Sequence, residues 1–152
     1  MNWEAAGAVG EIVGGLGVIA SLLYVARQVG ASNKASAIQS KLATSRMHSD
    51  FLVALIENPD LDDILFKGIS KLESLSERDY HRFSNMALQA FTFFAAGYFQ
   101  FKAGTMDSDE WSETESIIKF WLNGQGSRDW WQKVGRARFS SSFKTYIEEE
   151  FF

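Results

Sequence analysis

From Ala5 to Ala26 the chain reads AAGAVGEIVGGLGVIASLLYVA, twenty-two residues with one ionisable side chain, Glu11. A helix rises 1.5 Å per residue, so this stretch extends roughly 33 Å, close to the ~30 Å hydrocarbon core of a bilayer. Trp3 precedes it and Tyr24 stands near its far end, where amphipathic rings favour the membrane–water interface. The stretch predicts a single N-terminal transmembrane helix over residues 1–29. Residues 30–34 follow as a joint or a helical continuation, since Gly30 and Asn33 weaken a helix and no proline interrupts it. Residues 35–152 are expected to form a small cytoplasmic helical bundle.

The glycines of the first helix are phased. At 100° per residue Ala6, Gly10, Gly14, Gly17 and Ser21 fall within an arc of roughly 80°. Ile12, Leu16, Ile19 and Leu23 gather on the opposite side. In lipid no hydrophobic force drives helices together, and close backbone approach across small residues supplies the packing energy. Gly10-x-x-x-Gly14 is the core of such a face, which predicts self-association of the span into a homo-oligomer.

Glu11 lies on the edge of that face, about two turns into the span. A carboxylate there is costly unless it reaches headgroup water, hydrogen-bonds across a helix contact, or lines an aqueous path in a ring of copies. The charged flanks set orientation. Only Glu4 precedes the span, whereas Arg27, Lys34, Lys41 and Arg46 follow it, which predicts an outer N-terminus and a cytoplasmic tail at the inner membrane. A cleaved signal peptide would need a basic start, and the chain begins Met-Asn-Trp-Glu. The absence of cysteine removes disulfides and thiolate metal sites.

About 125 residues follow Arg27, enough for one core, and a single proline with no alternating stretches points to an all-α fold. Ile38, Leu42, Ser49, Leu52 and Ile56 recur at helical spacing until Glu57-Asn58-Pro59 ends the helix. Pro59 then suits the start of a short helix with Asp62 and Asp63 near its positive end. Ser76 with Asp79 begins the next helix, which closes at Gly104. Its segment from Met86 to Phe101 is apolar nearly all round and reads as the central helix of the bundle. A second membrane span and a groove for an apolar ligand are the alternatives.

Asp107 with Glu110 caps a further helix, whose acids Asp109, Glu113 and Glu115 answer the macrodipole. Trp111, Glu115, Ile118 and Leu122 share one face of it. Asn123-Gly124-Gln125-Gly126 breaks the helix, and Ser127 is expected to cap a short one carrying Trp130 and Trp131. A last helix over 140–152 sets Phe143, Tyr146 and Ile147 on one side.

Little in the sequence carries chemistry. His48 and His81 stand on different helices without a carboxylate at ligand spacing, and neither a nucleophile elbow nor a phosphate loop is present. No catalytic residue, cofactor or metal is expected. The net charge of −4 and the lack of a basic aromatic stripe exclude a nucleic-acid surface.

The opening MNWEAAGAVGEIVGGLGVIASLLYVARQV, with ENPDL, ERDYHRFSNMAL, YFQFKAGTMDSDEW and RDWW behind it, resembles a widespread group of small bacterial proteins. The likeness covers nearly the whole chain. It implies a bacterial membrane protein with an all-α tail and carries no known activity. The expected function is a non-enzymatic membrane anchor that self-associates and scaffolds or binds a protein partner. A homo-oligomeric ion channel or transport assembly with Glu11 lining its pore, and an apolar-ligand-binding bundle, are the alternatives.

Overall fold

The computed structural model describes residues 3–152, with side chains from Gly7 onward. The side chains of Trp3 and Ala6, assigned above to the interface and to the small face, lie outside the described residues. Among the described residues every regular element is helical: α1 Trp3–Glu57, α2 Pro59–Ser70, α3 Glu77–Lys102, α4 Ser108–Asn123, α5 Gln125–Lys133 and α6 Ser141–Phe151. Two 3-10 turns, Leu72–Ser74 and Gly135–Ala137, connect α2 to α3 and α5 to α6. Backbone contacts divide the chain into residues 1–42 and 43–152, and α1 contributes to both units. Residues 28–34 are helical throughout.

In the first unit the apolar side chains of α1 are exposed. Val13, Leu16, Ile19, Leu22 and Leu23 are all more than half exposed. Among the described residues α1 is the one helix long and apolar enough to cross a membrane, and none of its apolar window is buried within the chain.

The second unit is built around α3. Phe83, Phe91 and Phe94 are fully enclosed, and between Arg82 and Gln100 a narrow strip through Asn85, Gln89, Thr92 and Phe99 stays open. Phe91 is the hub of an aromatic cluster: its ring centroid lies 5.0 Å from that of Trp131 and 5.4 Å from those of Trp130 and Phe94. Such offset and edge-to-face pairs add to the energy of burying the rings. Trp130 and Trp131 are therefore core residues, and the indole Nε1 of Trp130 donates to Ser84 Oγ at 2.8 Å.

Helix ends follow local chemistry. Asn58 donates its amide back to the Ala54 carbonyl and closes α1, while Pro59 opens α2, where its missing N–H costs nothing. Ser76 Oγ accepts from the Asp79 amide, Asp107 Oδ1 from Asp109 and Glu110, and Ser140 Oγ from Phe143. Gly104, at φ 70°, supplies the left-handed residue after α3.

One detail departs from the sequence reading. Ser127 does not cap a helix; α5 begins earlier, at Gln125 behind Gly124, and Ser127 is fully buried in it. The face of α1 that packs on the core is Thr44, Met47, His48, Phe51 and Leu55, whereas Ile38, Leu42, Ser49, Leu52 and Ile56 are exposed. Phe51 stands against Trp121 with ring centroids 6.4 Å apart, and a ring of that size decides which side of the helix turns inward.

Candidate functional site

The small face of α1 is set by residue size. Gly10, Gly14 and Gly17 are exposed, and a Cβ added at any of them, or at Gly7 or Gly15, would meet nothing within 4 Å. Three glycines of the bundle are the opposite case. A Cβ on Gly68 would enter the Phe83 ring, one on Gly124 would strike the Ile69 carbonyl, and one on Gly126 the Gly68 carbonyl. Those three are required by the packing of α2 against α3 and α5. The glycines of α1 meet no such demand within the chain.

Ser21 Oγ donates to the Gly17 carbonyl at 2.8 Å, so its hydroxyl is satisfied within the helix turn and the residue behaves as a small one. Glu11 sits exposed beside the face, and among the described residues no ion pair or hydrogen bond holds it.

In the second unit His48 stacks on Phe93, centroids 5.0 Å apart, and joins Met47, Phe51, Gln89, Phe94 and Trp121 around a cavity of about 20 Å³. That volume holds a single water and falls far short of the ~300 Å³ at which small-molecule pockets begin. Gln100 donates to Thr44 Oγ1 at 2.8 Å, tying α3 to the end of α1. His81 lies at the start of α3 with its ring against Tyr80. Among the described residues no group of three His, Cys, Asp or Glu side chains could hold a metal ion.

One polar contact escaped the sequence reading. Tyr146 Oη donates to Glu115 Oε1 at 2.6 Å, joining α6 to α4 under the stacked ring of Tyr98. Burial, and then the Glu115 carboxylate, push the Tyr146 hydroxyl well above the usual phenol range. The signal in the sequence was a carboxylate, Glu115, on the otherwise apolar face of Trp111, Ile118 and Leu122.

Comparison of the chain with protein-family models, with curated proteins and with solved structures finds no significant match.

Proposed function

We propose that the chain is a non-enzymatic, membrane-anchored protein that associates with further copies of itself through the small face of α1. Its helical bundle then serves on the cytoplasmic side of a bacterial inner membrane as a scaffold or as the binding module for a protein partner. The observation that carries this reading is the contrast between two sets of glycines. Gly68, Gly124 and Gly126 of the bundle abut backbone or ring atoms, whereas the glycines of α1 stand open beside the exposed large apolar side chains of residues 9–29. An apolar helix with nothing to cover it needs a lipid or a protein environment, and a phased small face favours a second helix.

The charges support the orientation. Residues 12–49 contain Arg27, Lys34, Lys41 and Arg46 and no Asp or Glu, as expected on the cytoplasmic side of a span. Washing membranes at alkaline pH tests the anchor. The intact protein is expected to stay with the membrane pellet, and its release into the supernatant would remove the anchor from the account.

A further inference from the structure

α5 and α6 form a hairpin. At its open end the Arg128 guanidinium lies over the Phe152 ring, 5.0 Å from the centroid. At its closed end the turn Gly135–Ala137 joins the two helices. Residues 133–144 read KVGRARFSSSFK, with four cations and no Asp or Glu, in a chain whose net charge is −4.

The fold turns those charges outward. Val134 and Phe139 pack on the core, and the Phe139 ring stacks on Trp131 with centroids 5.8 Å apart. A Cβ on Gly135 would strike the rings of Trp130 and Trp131, so the turn is pressed against the aromatic cluster. With its apolar residues held inward, Lys133, Arg136 and Arg138 are exposed around the turn, and Lys144 is half-buried one turn into α6. Arg136 is engaged: it donates to Gln132 Oε1 at 3.1 Å and stands 3.4 Å from Glu148 Oε1. The side chains of Lys133, Arg138 and Lys144 hold no ion pair among the described residues. The flanking acids are occupied, Asp129 by Gln125 and Glu148 by Arg136. Three unneutralised cations therefore cluster at one end of an otherwise acidic bundle.

We infer that this end of the bundle docks on anionic phospholipid headgroups. The inference rests on the membrane-anchored reading above, because the anchor keeps a bilayer surface beside the bundle at high effective concentration. Each Lys or Arg near an anionic surface favours contact roughly fivefold, within a Debye length of about 8 Å. Acids on other faces are screened beyond that range, so the overall charge does not oppose a contact made by this end. A free polyanion lacks the anchor and meets the net negative charge of the whole molecule first. No large apolar side chain is exposed between residues 133 and 144, so the contact is electrostatic and stays at headgroup level.

The chain has no cysteine, so Ala137→Cys takes a single environment-sensitive dye at the turn. Ser116→Cys, exposed on α4, takes the same dye as a control. The full-length protein is reconstituted into vesicles of phosphatidylcholine alone or with phosphatidylglycerol added. The dye at position 137 is expected to respond only where phosphatidylglycerol is present. It loses the response as added salt shortens the Debye length from about 10 Å to about 3 Å. The triple variant Lys133→Gln, Arg138→Gln, Lys144→Gln lowers the contact equilibrium roughly a hundredfold and removes the response at low salt.

No response to phosphatidylglycerol, in protein that floats with both kinds of vesicle, overturns the inference and leaves the anchor standing. So does a response that the triple variant keeps, or one that the dye at position 116 shares. A response to added RNA and not to phosphatidylglycerol assigns the surface to a soluble polyanion and also overturns it. Flotation reports the anchor separately. Protein that floats only with phosphatidylglycerol vesicles, and not as the triple variant, supports the basic end and removes the anchor. Protein that floats with neither overturns both.

Discussion

Gly126 of α5 rests its bare Cα on the carbonyl oxygen of Gly68 in α2, and no other residue fits at that crossing. The neighbouring Ser127 is fully buried. Alanine is the better helix former by about 1 kcal/mol, yet overpacking against a fixed backbone atom costs about 1–3 kcal/mol or more. Gly126→Ala is therefore expected to destabilise the fold, as read by denaturant unfolding. Unchanged or raised stability would show that α2 and α5 stand further apart.

Phe94 is 1% exposed and touches Phe91, Phe93 and Trp121. Phe94→Ala removes a ring from a filled core and is expected to cost ~3–5 kcal/mol of stability. A change near zero would place that ring against lipid or solvent.

The Trp130 indole has Ser84 Oγ as its acceptor, deep in the bundle. Ser84→Ala leaves a buried N–H without a partner, with an expected loss of about 1–3 kcal/mol. Thermal melts of the two proteins under matched conditions check this, and equal midpoints would mean that water replaces the serine.

Tyr146 makes stability depend on alkaline pH. Its hydroxyl is held above the usual phenol range in the folded state by burial and by Glu115, so the unfolded chain releases that proton first. Its contribution is complete below about pH 10, the ordinary phenol value, and is lost as pH rises beyond it. Tyr146→Phe should lack that part of the alkaline decline while being less stable at neutral pH, where the Glu115 hydrogen bond is missing. Denaturant midpoints between pH 8 and pH 11 measure the difference, and parallel declines in the two proteins would remove the role of Tyr146.

Features set within a few residues were readable from the sequence. Pro59, Ser76, Asp107 and Ser140 mark helix starts because capping involves only the next turn, and Gly104 marks an end because its backbone angle is local. Ser127 misled because a serine beside glycine resembles a cap, whereas the close approach of α2 fixes where α5 begins. The inner face of α1 was equally illegible. Ile38, Leu42, Leu52 and Ile56 and the rival set Met47, Phe51 and Leu55 both recur at helical spacing. Period alone cannot choose between them; the fit of Phe51 against Trp121 does. The small face of α1 was legible as a pattern, since size and phase are properties of the sequence. The open space beside its glycines is a property of the structure.

The most direct measurement is the mass of the detergent-solubilised particle by native mass spectrometry, for the native protein and for the Gly10→Leu, Gly14→Leu double variant. Two leucines fill the small face without making the span more polar, so insertion is expected to survive while helix contact is lost. The account predicts a discrete oligomer for the native chain and a monomer for the variant, both recovered from membranes. A monomeric native protein, or an oligomer that the two leucines leave intact, would contradict self-association through this face.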